Sequence, residues 1–103
     1  MKRLFISQPM KGKTAEEIMA ARERAAVTAR VILREDVEVI DSVIPQNVFM
    51  PGNRQLWCLG ESLKLMATAD VVYFADNWKE YRGCLIEYRC AKDYGLEVIG
   101  DIL

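Results

Sequence analysis

Two hydrophobic periods alternate along this chain, and that alternation limits its fold more than any other feature. Four short runs read as strands: Leu4 to Ile6, Val37 to Ile40, Val71 to Ala75 and Glu97 to Ile99. The three stretches between them space their apolar residues as helices do. The first carries Ile18, Ala21, Ala25, Ala29, Ile32 and Leu33 and should end near Glu35. The second presents Leu56, Leu59, Leu63, Met66 and Ala67 on one face, and the third runs from about Arg82 to Tyr94. Strand and helix in strict alternation argue for an α/β domain, with a parallel sheet of about four strands closed by right-handed crossovers. Val71-Val72-Tyr73-Phe74-Ala75 is nearly all apolar, as a central strand buried on both faces must be.

The punctuation agrees with this reading. Thr14-Ala15-Glu16-Glu17 has the form of a capping box at the start of the first helix. Gly95 stands where a helix commonly turns left-handed at its end. Pro45, Pro51 and Gly52 break up the region from Val43 to Asn53. With 103 residues, no repeat and no low-complexity linker, the whole of 1–103 is expected to be one domain.

Charge and composition remove several function classes. Fourteen basic residues against fifteen acidic ones leave a net charge of -1, so no basic excess steers the protein onto a nucleic-acid polymer. No apolar run reaches the length of a membrane span, and the N-terminus lacks the apolar core of a signal peptide, so the expected location is the cytoplasm. The three cysteines, Cys58, Cys84 and Cys90, fit no zinc spacing and are expected to be reduced thiols. There is no histidine, so acid–base or nucleophilic work would fall to carboxylates, Lys, Tyr, Cys or a bound ion. No metal and no cofactor is called for.

In open parallel sheets, ligands bind beyond the carboxyl ends of the strands. That rule selects the loops Ser7 to Lys13, Asp41 to Pro45 and Asp76 to Gly83. The first of them opens a helix, where free N–H groups and the helix dipole favour an anion. Ser7, Lys11, Gly12 and Lys13 would serve a phosphate or carboxylate there; the alternative is a solvated turn before a capped helix. Gly12-Lys13-Thr14 also matches the tail of a phosphate-binding P-loop, with Val71 to Asp76 as the strand whose Asp approaches magnesium. The full signature needs a glycine where this chain has Ser7, and Pro9 removes a backbone donor.

Glu87 follows Gly83 by four residues, so it lies one turn into the third helix and points back toward the strand ends. Leu85 and Ile86 flank it. A carboxylate shielded there can act as a nucleophile or an acid–base; the alternative is a surface glutamate favoured by the helix dipole.

Two blocks of sequence carry a resemblance. Ile6-Ser7-Gln8-Pro9-Met10 opening a helix, and Ala69-Asp70-Val71-Val72-Tyr73 followed by Arg82-Gly83 and Glu87, are similar to the nucleoside 2-deoxyribosyltransferase superfamily. Its relatives include the 2′-deoxynucleoside 5′-phosphate N-hydrolases and many short bacterial and phage proteins, which this chain resembles most. The resemblance implies a small flavodoxin/Rossmann-like three-layer sandwich, a homodimer or larger assembly, and a nucleoside or nucleotide substrate. It implies that Glu87 is the nucleophile of an N-glycosidic hydrolase or transferase, forming a glycosyl-enzyme that water or a second base resolves. It further implies that Ser7, Gln8, Met10, Gly12 and Lys13 hold the 5′ end of the substrate and that Gly83 lies beside the nucleophile. Asp76 either braces its loop or binds a sugar hydroxyl. Trp78 or Tyr81 either stacks on the base or belongs to the core or an interface. The chain departs from the superfamily pattern at Ser62, Tyr81 and Arg89, where an aspartate, an acidic residue and a glycine are usual. The other reading of the same pocket is a binding module that holds a nucleotide or sugar phosphate without turning it over.

Overall fold

The computed structural model describes residues 1–43 and 49–102. Pro45, expected to end the loop after the second strand, lies outside the described residues. Strands β1 (Lys2–Ser7), β2 (Val37–Val39), β3 (Val71–Phe74) and β4 (Glu97–Ile99) alternate with helices α1 (Ala15–Leu33), α2 (Arg54–Met66) and α3 (Arg82–Asp93). A single 3-10 turn, Trp78–Glu80, links β3 to α3. The sheet is parallel throughout, in the order β2-β1-β3-β4. The chain steps outward from β1 to β2, then crosses back to β3 and on to β4. Right-handed crossovers therefore put α1 on one face and α2 with α3 on the other.

Two cores follow from the strand pleat. Leu4, Ile6, Val71, Tyr73 and Ala75 face α1 and pack against Ala25, Ala26 and Ala29. Phe5, Val72 and Phe74 face the other way, onto Met66 of α2 and Cys84 and Ala91 of α3. The alanines let α1 lie close to the sheet. β3 is buried on both faces, as its unbroken apolar run requires.

The ends of α1 are built as the sequence suggests. Thr14 Oγ accepts from Glu17 N–H at 3.1 Å, and Glu17 Oε1 accepts from Thr14 N–H at 3.0 Å. The helix stops at Arg34, which takes left-handed angles (φ 57°), one residue short of Glu35. Asp70 accepts from the Arg3 amide at 2.8 Å and so ties the start of β3 to β1. After β4, Gly100 turns at φ 75° against β3; a Cβ there would come within 2.7 Å of the Tyr73 ring. α2 differs from expectation. Leu56 is 64% exposed, and only Met66 of the helix is fully buried. The apolar spacing there marks one face, but spacing alone does not bury a residue such as Leu56.

Candidate functional site

Because β2 and β3 lie on opposite sides of β1, the strand order reverses at β1, and the carboxyl ends of β1 and β3 mark the place where open parallel sheets bind ligands. Ser7 and Phe74 are register partners there. Alternation turns Ser7 toward the α2/α3 face, and α3 brings Glu87 down to it. The Ser7 hydroxyl donates to Glu87 Oε1 at 2.7 Å across eighty residues of sequence. Both groups are out of solvent, Ser7 at 1% and Glu87 at 7% exposure. Taking a carboxylate out of water disfavours its charged form, and burial lifts the Glu87 carboxyl to about 7; the Ser7 hydroxyl pulls it partly back by bonding the anion. No ion pair reaches Glu87 among the described residues.

Cys84 sits one turn before Glu87 on the same helical face and is likewise buried. Its thiol is pushed up to about 11, chiefly by burial, with Ser7 lowering it and the Glu87 charge raising it. Such a thiol is protonated at neutral pH and is a poor nucleophile. The chemistry of this cluster therefore belongs to the carboxyl group. Cysteine reading from the sequence missed that Cys84 walls the site; its spacing of three from Glu87 was the available signal.

The other candidate residues divide by strand alternation. Gln8 follows Ser7 and turns the opposite way, onto α1, where its Nε2 donates to the Ile18 carbonyl at 3.0 Å. Gln8 is buried, and its Oε1 has no partner among the described residues. Met10 is half-buried, and its carbonyl accepts from Lys13 N–H at 3.1 Å, which closes a turn through Gly12 at φ 78°. Lys11 and Lys13 are exposed. The donors at the start of α1 are met in part by the chain's own Thr14 and Glu17 side chains, so an incoming anion competes with a carboxylate already in place.

Lys13 and Asp76 share a groove of about 660 Å³, but it lies on the α1 face, floored by Ala21, Ala25, Tyr73 and Ala75. Glu87 is not part of its lining. This groove and the buried carboxyl thus sit on opposite faces of the sheet. Gly83 is exposed in the first turn of α3, with open space where a Cβ would stand. Tyr81 precedes that helix in an extended conformation, half-buried.

Trp78 belongs to the core. It is 4% exposed, with its ring stacked on Tyr88 at 4.7 Å and tilted against Phe74 at 5.0 Å. Its indole N–H has no partner among the described residues. A second buried cluster lies beside β2. Arg22 of α1 donates to the Ile40 carbonyl and, at 3.1 Å, to Ser42 Oγ, and burial lowers its pKa. This arginine ties α1 to the end of β2, and nothing in the hydrophobic spacing announced it.

Among the described residues no helix is long and apolar enough to cross a membrane. Compared with known proteins, the chain matches no family model, and no curated protein or solved structure is significantly similar to it.

Proposed function

We propose that this protein cleaves or transfers the N-glycosidic bond of 2′-deoxynucleosides or their 5′-monophosphates, with Glu87 as nucleophile. The buried Ser7–Glu87 hydrogen bond at the reversal point of the sheet carries this reading. A carboxylate that has lost its water shell attacks well once ionised, and the hydroxyl holds it in one orientation. In the reaction, a Glu87 oxygen bonds to C1′ as the C1′–N bond breaks, and the bond's electron pair leaves with the base, which takes up a proton. Water then attacks C1′, loses a proton to solvent and frees the carboxylate; a second base in place of water makes the reaction a transfer. The same reading makes the protein a cytoplasmic homo-oligomer whose partner is a small nucleoside or nucleotide, acting without metal or cofactor.

The test is to incubate the protein with each 2′-deoxynucleoside and each 5′-monophosphate and follow free base by chromatography, beside Glu87→Ala. Base release that disappears in Glu87→Ala supports the chemistry. A folded protein that releases no base from any of them refutes it.

The absence of any charged partner for Glu87 among the described residues favours a second reading, a binding module that holds the same compounds intact. It predicts a rise in Tm with ligand and no product.

A further inference from the structure

We infer that Arg22, at the carboxyl end of β2, anchors an oxyanion, a phosphate or a carboxylate, on the α1 face of the sheet. This site is separate from the Ser7–Glu87 pair and does not depend on the glycosyl chemistry. Among the described residues the buried polar side chains are Ser7, Gln8, Arg22, Ser42 and Glu87. All of them stand at or against the carboxyl ends of β1 and β2, the edge where open parallel sheets take their ligands. The pleat sends Ser7 to Glu87 on one face. Gln8, Arg22 and Ser42 gather against α1 instead, with Gln8 held at the Ile18 carbonyl, one turn before Arg22.

Arg22 is the member of this group whose charge is left over. It is 8% exposed, and its bonds go to the Ile40 carbonyl and, at 3.1 Å, to Ser42 Oγ. Both acceptors are neutral, and among the described residues no carboxylate lies within ion-pair distance of it. Asp41, whose charge does reach Arg22, is exposed and accepts from the Val43 N–H at 3.3 Å. Burial outweighs its pull and lowers the guanidinium pKa. Residues 44–48, next in the chain after Val43, include no Asp or Glu. A guanidinium keeps its charge in a folded protein, so burying it beside neutral acceptors costs free energy that a bound anion would offset. The donors for that anion are present. Arg22 Nε makes no bond among the described residues, yet it is not sealed from solvent, since the buried atoms without a partner there are Gln8 Oε1 and Trp78 Nε1. The Ser42 hydroxyl accepts from Arg22 and still has its own proton to give. A planar fork of donors with a hydroxyl beside it suits two oxygens on one centre, as phosphate and carboxylate present them. The start of α1 offers less, because the capping box already occupies its donors in part.

Titrating the nitrogen-15-labelled protein with sodium phosphate, and separately with sodium acetate, tests this, with sodium chloride holding the ionic strength constant. The probe is the Arg22 Nε–H resonance, which reads the donor itself and needs no variant. It should shift and saturate below about 50 mM of at least one of the two anions, as millimolar binding through a few charge-assisted bonds requires. The anion that saturates first names the class. Arg22→Lys keeps the charge but loses the fork, so the amide shift at Ser42 should need at least about tenfold more anion. Arg24→Met, which removes an exposed cation from the same helix, should leave the Arg22 titration unchanged. Circular dichroism checks that each variant is folded. An Arg22 Nε–H signal that moves with neither anion overturns the inference. So does a folded Arg22→Lys that binds as tightly as the wild type, or an equal loss of binding in Arg24→Met. Base release from deoxynucleosides bears on none of these outcomes, so this inference and the glycosyl reading can each fail alone.

Discussion

Replacing Glu87 by Gln should make the protein's stability less dependent on pH, and by a calculable amount. In the fold the Glu87 carboxyl is raised from the ordinary 4.5 to about 7. The native state therefore holds this proton over a range in which the unfolded chain has released it. The sign follows from linkage: where the native state binds more protons, stability falls as pH rises. The contribution is complete below about 4.5, is lost progressively through the window to about 7, and is absent above it. Each pH unit between the unfolded and folded values is worth about 1.4 kcal/mol, so the loss amounts to about 3 kcal/mol. Exposure of only 7% leaves little solvent screening to discount. Gln cannot ionise and can still accept the Ser7 hydroxyl bond, but its amide brings donors that the carboxyl lacks. The absolute effect at any one pH mixes these contributions, while the change with pH isolates the ionisation. Urea unfolding of wild type and Glu87→Gln at intervals from pH 4 to 9 measures it, because the remaining carboxylates cancel in the difference. The variant should gain about 3 kcal/mol on the wild type between pH 4 and pH 8.5, which at a urea m-value of roughly 1–3 kcal/mol/M moves the relative midpoint by about 1 M or more. A difference that stays flat over this range, or falls with pH, would refute the claim that Glu87 is held desolvated at the sheet edge.

Ser7→Ala removes the one group among the described residues that favours the Glu87 anion, so the native carboxyl should titrate higher still; carbon-13 NMR of the labelled side chain reads this directly. If base release occurs, its rate should climb with pH through about 7 in the wild type, and the climb should move upward in Ser7→Ala. Gly100→Ala forces a side chain into a left-handed position and against Tyr73 and the Phe74 carbonyl at 2.7 and 2.9 Å. It should cost roughly 2 kcal/mol or more in thermal unfolding, combining backbone strain with a clash. Thr14→Ala breaks the side-chain bond to Glu17 N–H in the capping box and should cost about 1 kcal/mol by urea unfolding, with amide exchange speeding up in the first turn of α1.

Local physics made most of the architecture legible in the linear order of residues. Period and breaker residues located the four strands and the three α-helices, because each element must bury its apolar side. Thr14 and Glu17 declared the start of α1, and Gly95 the end of α3, because backbone donors, acceptors and positive φ angles need particular side chains nearby. α2 is the exception: its spacing identified a face, but exposure depends on what lies opposite, and Leu56 is left 64% exposed. Glu87 was marked by its place one turn into a helix after a buried strand.

The set of elements and the parallel direction of the strands were thus legible in the linear order of residues. Which groups meet depends on how those elements pack. Ser7 and Gln8 are neighbours in sequence, yet the pleat sends one to Glu87 and the other to the Ile18 carbonyl on the opposite face. Lys13 and Asp76 gather at a groove that excludes Glu87, Trp78 turns into the core, and Arg22 reaches the end of β2. These pairings join residues up to eighty positions apart. They depend on strand order, register and crossover hand acting together, and no local period encodes that combination.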